Sequence, residues 1–460
     1  MRCVCYGGIW KIFVKFANGL ARRFRFYRKV GQGAIKNKLK HNIDMDRRLI
    51  LTALGAVSFW GMAMASGFVN VDVERIGGID EKTEADADST GFTFTDVMVI
   101  ETTPVKDQNK SGTCWCFAGT SMFEDEIVRR GGKPLDLSEM FTVRQCYLDK
   151  ADKYVRMNGA TNFAAGGSIM DLPYVWEHYG VVPESAYPGL GYGEEKHVHG
   201  ELDAVLKAYL DAVIAKPDKR MSTAWRKGFE AILDAYLGEV PETFTVDGKS
   251  YTPRSYAESL GLNMDDYVAV TSFTHHPFYV PMVLEVADNW LWAPYENVQL
   301  NELKAIVDNA VEKGYPVVWA ADVSEGGFKW PKGYAVMPKE RTSADMEGTE
   351  LSRWVKLSDK ERQEKMYDIK GPVEEIEVTQ ESRQEMFDRQ ETTDDHGMEI
   401  VGIATDQEGN RYYKVKNSWD TNQIYDGFFY VSEPYFLSKT LSILVNREAI
   451  PGQILQKLRN

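Results

Sequence analysis

The chain has 460 residues, 43% hydrophobic and 27% charged, with a formal net charge of −14 at pH 7. These proportions suit a globular protein and argue against wholesale disorder. The length exceeds one compact core of ordinary size, so two lobes, or one domain with large insertions, are expected. Residues 1–65 hold 13 Lys/Arg against Asp44 and Asp46, leaving 41 basic and 66 acidic residues in 66–460, a balance of −25. A surface of that sign repels phosphate backbones and anionic membranes, which argues against nucleic acid as a partner. Cysteine is sparse: Cys3, Cys5, Cys114, Cys116 and Cys146. No second pair supports zinc-ligand spacing and three cysteines after residue 65 leave one unpaired, so neither a structural metal nor a disulfide framework is expected.

In chain order, residues 1–44 form a basic leader, read as upstream of the true start at Met45. Asp46-Arg47-Arg48, the uncharged run Leu49–Ala65 and the closing Ala63-Met64-Ala65 have the three parts of a secretory signal peptide. Residues 45–65 are therefore expected to direct export, periplasmic or extracellular, and to leave no stable membrane span after cleavage. Residues 66–91 read as an acidic linker. Residues 92–195 are expected to form a helical lobe, entered by a strand over Phe92–Ile100 and carrying a helix from Cys114 to Arg130 that Gly131-Gly132 ends. Residues 196–300 read as a helical insertion, with apolar helical spacing in Glu201–Lys216 and Thr223–Tyr236. Residues 301–460 read as a β-rich lobe with a helix over Asn301–Glu312 and a buried strand over Tyr315–Ala321. After a charged surface excursion at 340–395 come strands at Ile400–Ala404, Tyr412–Lys416, Phe428–Val431 and Leu441–Val445.

Three short blocks carry chemistry. Gln108 precedes Ser111-Gly112-Thr113-Cys114-Trp115, where a glycine-containing turn passes into a helix. A helix N-terminus favours the thiolate, the reactive form of cysteine. The Gln108 carboxamide can donate to an oxyanion beside it, and Gly112 lets a substrate backbone approach. Far downstream, Asp394-Asp395-His396-Gly397 and Lys416-Asn417-Ser418-Trp419 stand at strand edges. An imidazole and an amide from two strands can meet a thiol across a cleft, the imidazole taking the proton and the amide fixing the ring.

These blocks, in the order Cys, His, Asn, resemble the papain superfamily of cysteine peptidases. Thr274-His275-His276-Pro277 and Asp288-Asn289-Trp290 point within it to the bleomycin hydrolase and aminopeptidase C branch. The resemblance covers about residues 95–450 and implies an α+β, two-lobe papain-like fold, with a helical lobe bearing the nucleophile and a β-barrel-like lobe bearing His and Asn. It implies Cys114, His396, Asn417 and Gln108 as catalytic residues and Gly112, Trp115, Gly166, Gly167 and Trp419 at the substrate, with Trp419 covering the His396–Asn417 bond. Peptide or protein substrates and no cofactor are expected, and the branch admits a homo-oligomer. Ser111 departs from the superfamily, which has a cysteine there. The stretch after Leu441–Val445 is shorter than the groove-filling tail of the branch, so an open cleft acting on internal bonds is favoured over strict aminopeptidase action.

Other readings stand beside these. The same Cys–His pair serves acyl transfer to an amine, and a peptide-binding pseudoenzyme keeps a groove without turnover. Cys116 reads as core, and Asp394-Asp395 as solvated loop charges. His275 and His276, adjacent on an extended segment, are expected to face opposite ways, one packed and one exposed.

Overall fold

The computed structural model describes residues 91–216, 219–340 and 355–459. The leader, the signal peptide, nearly all of the linker and residues 341–354 of the excursion lie outside these.

One helix organises the fold. α1 (Cys114–Arg129) is buried along almost its whole length, as its all-round apolar and paired-polar sequence requires. It ends where Gly131, at φ +84°, takes a conformation costly to other residues, and Gly132 N–H returns to the Ile127 carbonyl at 2.9 Å. α2 (Glu139–Arg156) starts at Ser138, whose hydroxyl accepts from Phe141 N–H at 3.1 Å. α3 (Asp171–Tyr179), α4 (Gly200–Ile214) and α5 (Trp225–Leu237) complete the helical side. Leu202, Leu206 and Leu210 of α4 and Phe229, Leu233 and Leu237 of α5, at helical spacing, form one buried cluster with Phe141, Tyr147 and Tyr154 of α2.

The β-rich side is a single sheet of eleven strands among the described residues. Its strands are β1 (Thr95–Val99), β4 (Tyr267–Thr271), β5 (Met282–Val283), β6 (Pro294–Asn297), β7 (Val317–Ala321), β8 (Phe328–Lys329), β9 (Tyr334–Ala335), β10 (His396–Thr405), β11 (Arg411–Lys416), β12 (Phe428–Ser432) and β13 (Thr440–Asn446). They run in the order β5-β6-β4-β13-β7-β10-β11-β12-β9-β8, and β1 pairs with β10. α1 packs on β10 and β7, and α7 (Leu300–Glu312) covers their other side with Leu303, Ile306, Val307 and Val311.

Two expectations change. Residues 196–300 are not wholly helical. Besides α4 and α5 they hold the hairpin β2 (Phe244–Val246) and β3 (Lys249–Tyr251), turned by Asp247-Gly248 at φ +50° and +77°, and the helix α6 (Pro253–Leu260). They also supply β4, β5 and β6 to the main sheet. Nor is the described part of 340–395 only a solvated face. After α8 (Asp359–Met366), α9 (Gln380–Asp388) buries Arg383 completely. The Arg383 guanidinium donates to the carbonyls of Ser272 and Leu437, each at 2.9 Å, and of Thr440, and it lies over the Phe273 ring. Burial lowers its pKa to about 9. α10 (Glu433–Lys439) leads into β13 and packs against β11 and β12, and α11 (Gly452–Leu458) packs Ile454 into the core while Lys457 reaches Glu302 at 2.6 Å.

Candidate active site

Cys114 is the first residue of α1, a free thiol with partial exposure. Across from it, β10 begins at His396 and β11 ends just before Asn417, and these strands are neighbours in the sheet. Antiparallel pairing of strands joined by a short turn is what brings two residues so separated in sequence together.

The hydrogen bonds fix the histidine tautomer. Asn417 Oδ1 lies 2.8 Å from the Ser418 N–H, a group that can only donate, so the amide oxygen must face that way. The same oxygen lies 2.7 Å from His396 Nε2, which must then carry the proton. That leaves the Nδ1 lone pair to receive the Cys114 proton. Trp419 stacks on the imidazole with centroids 4.4 Å apart and 27° between planes, and the His396–Asn417 bond is buried. His396 is 5% and Asn417 3% exposed.

Gln108 is oriented by the same logic. Its Nε2 lies 2.8 Å from the Ser111 carbonyl, which only accepts, and its Oε1 takes the Ser418 hydroxyl at 2.7 Å. The second Nε2 hydrogen stays free to donate. Ser111, in the place where a cysteine is usual in the superfamily, closes this turn by bonding the Gln108 carbonyl at 2.8 Å and the Thr113 hydroxyl at 2.7 Å. Cys116 is fully buried, its thiol on the Glu139 carbonyl at 3.3 Å, and Cys146 is buried in α2.

Burial pushes the Cys114 thiol up to about 12, opposed by the Gly397 and Trp115 N–H groups, which stabilise the thiolate. Burial likewise draws His396 down to about 4, against the stabilising Asn417 bond. Both directions favour the uncharged pair when the cleft is empty. Proton transfer from sulfur to Nδ1 creates two opposite charges side by side, and burial penalises such a pair less than either charge alone.

The remaining residues read from sequence have different surroundings. Trp115 is 3% exposed and donates to the Ala165 carbonyl at 3.0 Å, so it braces the glycine loop from behind and does not line the cleft. A Cβ on Gly167 would lie 2.6 Å from Asp171 Oδ2 and 2.7 Å from Trp115 Cε2, and one on Gly112 would lie 2.8 Å from Ala165 Cβ. Close packing alone thus demands glycine at 112 and 167. Asp395 is no solvated charge: it accepts from Val323 N–H at 3.2 Å, Ser324 N–H at 3.1 Å and Thr393 Oγ1 at 2.8 Å, tying the exit of β7 to the entry of β10. Asp394 is half-buried. His275 and His276 do not diverge; both Nε2 atoms reach the Glu285 carboxylate, at 3.0 and 2.8 Å. Sequence reasoning missed Ser418, which orients both amides, and Asp288, whose carboxylate overhangs Gly166.

A thiol at a helix start, an imidazole held by an amide and a carboxamide donor beside them, spanning helices and sheet, define the papain-type cysteine peptidases. The chain belongs to that family. The model of the papain family cysteine proteases matches residues 94–230, and that of the Peptidase C1-like family residues 348–460. Relatives include aminopeptidase C of Lactobacillus delbrueckii subsp. lactis, 21% identical over 84% of this chain and 89% of that protein. Aminopeptidase W of the same organism is 25% identical over 84% of this chain and 90% of its own. The crystal structure of PepW from Lactobacillus rhamnosis superposes with a TM-score of 0.60 at 17% identity, covering 93% of this chain and 96% of that one.

Proposed function

We propose that the protein is an aminopeptidase that removes residues from the free amino end of peptides through an acyl-thioester on Cys114. The observation that carries the aminopeptidase reading is that relatives named aminopeptidase C and aminopeptidase W align over 89% and 90% of their own lengths. This replaces the open cleft that the length of the tail favoured. In the proposed cycle, Cys114 Sγ attacks the scissile carbonyl as its proton passes to His396 Nδ1. The oxyanion takes the free Nε2 hydrogen of Gln108. His396 then protonates the leaving amine, and a water that it deprotonates opens the thioester, restoring the thiol. The test compares peptides with free and acetylated amino ends: free peptides should be shortened one residue at a time and acetylated ones resist. Rapid cutting of acetylated peptides at internal bonds would refute the reading.

Export is part of the proposal, on the three-part pattern of Met45–Ala65. Amino-terminal sequencing of the mature protein should start at or near Ser66; active protein confined to the cytoplasm with residues 45–65 attached would overturn it.

A further inference from the structure

Two carboxylates near Cys114 go unused by the catalytic cycle. Asp288, on the segment between β5 and β6, accepts from Asn162 Nδ2 at 2.9 Å. Its other oxygen sits so close over Gly166 that a Cβ there would lie 1.9 Å from it. Glycine at 166 is therefore what admits Asp288 to the cleft. Asp394, two residues before His396, has neither a hydrogen bond nor an ion pair with any described residue, while its neighbour Asp395 is fully engaged. A desolvated carboxylate without a partner is costly unless something cationic or hydrogen-bonding meets it in use. Lys150, whose charge bears on Asp288, is itself buried and donates to the carbonyls of Ala164 and Gly166.

We infer that Asp288 and Asp394 together hold the α-ammonium group of the substrate's first residue, setting the scissile carbonyl at Cys114 one residue from the free end. The inference rests on the aminopeptidase reading and names the groups that would enforce it. An α-nitrogen lies only about 2.5 Å from its own carbonyl carbon, so the anchor must stand beside the nucleophile. Asp394 stands two residues before His396 and Asp288 over the Gly166 backbone, and the charge of each opposes ionisation of Cys114, with Asp288 also acting on Asp394. Burial, with Asp288 and Asp395 adding to it, lifts Asp394 to about 7, and burial also raises Asp288. An arriving ammonium relieves this repulsion and with it the opposition to the Cys114 thiolate, so a correct substrate also helps activate the nucleophile. A lysine side chain offers the same ammonium chemistry from farther along a peptide, and the test separates the two sources.

The test uses Asp288→Asn, Asp394→Asn and Gly166→Ala, the last displacing the Asp288 carboxylate without removing a charge, with Glu285→Gln as a control on the same segment. Substrates are a free-amine peptide, its acetylated form, and an acetylated peptide with lysine before the scissile bond. Each cleft variant should lose about 10- to 100-fold in kcat/KM on the free-amine peptide, mostly through KM. Full titration of Cys114 by an epoxide probe should persist, and the control should be unchanged. In both Asp→Asn variants, alkylation of Cys114 should begin at lower pH than in the unsubstituted protein. If the unsubstituted protein is selective for free amines but all three variants keep that selectivity within about twofold, the anchor is wrong while the aminopeptidase reading stands. If the unsubstituted protein cuts acetylated and free peptides alike, the aminopeptidase reading itself fails. Efficient cleavage of the acetylated lysine peptide alone assigns the site to side chains and overturns the α-ammonium anchor. A variant that no longer titrates is set aside, and the other two decide.

Discussion

At the scale of single residues, the site separates bond making from positioning. Cys114→Ala removes only the sulfur and should abolish turnover with the fold intact; measurable hydrolysis by the purified variant would sink its assignment as nucleophile. His396→Ala should be nearly as damaging, and Asn417→Ala milder, because an untethered imidazole still visits the right orientation part of the time. Gln108→Ala should cost about two to three orders of magnitude in kcat with probe labelling of Cys114 unchanged. Ser418→Ala should show a smaller loss of the same kind, since Ser418 aims the carboxamide through its 2.7 Å bond without touching substrate. Equal losses of labelling and rate in Gln108→Ala would make that residue a support of the thiolate or the fold.

At the scale of elements, α9 is the test of how an apparently polar segment is tied in. Arg383→Ala would leave the carbonyls of Ser272, Leu437 and Thr440 without their donor and open a cavity over Phe273. A loss of about 3–5 kcal/mol is expected by denaturant unfolding, against under about 0.5 kcal/mol for the exposed neighbour Glu385→Ala. Equal small effects would show that α9 is held by other contacts. The element was misjudged from sequence because a charge-rich stretch has no apolar period to betray a single buried arginine. By contrast α1, α4, α5, α7, β7 and β11 to β13 fell close to the ranges read from the sequence, since helical spacing and continuous apolar runs are local signals, while β10 starts at His396, ahead of the Ile400–Ala404 read for it. β4 to β6 were missed because strands of 5, 2 and 4 residues leave little local pattern.

For the whole molecule, pH should act through histidines buried uncharged. His199 is 0% exposed, both its ring nitrogens lack partners among the described residues, and burial, with His197 adding to it, holds its pKa at about 4. In the unfolded chain it titrates near about 6.5. Between these values the unfolded state binds a proton that the folded state refuses, so its contribution is complete above the upper value and is lost as pH falls towards the lower one. The loss should be on the order of 3 kcal/mol. Carboxyls such as Glu184, raised by burial to about 8, push the other way, so the comparison must be differential. Unfolding free energies of the unsubstituted protein and His199→Leu should converge on acidification from pH 7.5 to 4.5 if the variant starts less stable. Parallel profiles would show that His199 does not titrate in this window.

The Cys-His-Asn order, the helix-start placement of Cys114 and the companion Gln108 were all present in the residues themselves. Such chemistry depends on residue type and on local turn, helix and strand signals, which a linear sequence records. The sequence also determined the helical and strand periods that make a papain-like fold. Only the tertiary structure decided which groups share the cleft. It set the tautomer of His396 through Ser418, turned Trp115 and Gly167 into packing elements, and drew Asp288 over Gly166. These are contacts between segments far apart in the chain, set by how the sheet and helices pack, and no local pattern encodes the distance between two such segments.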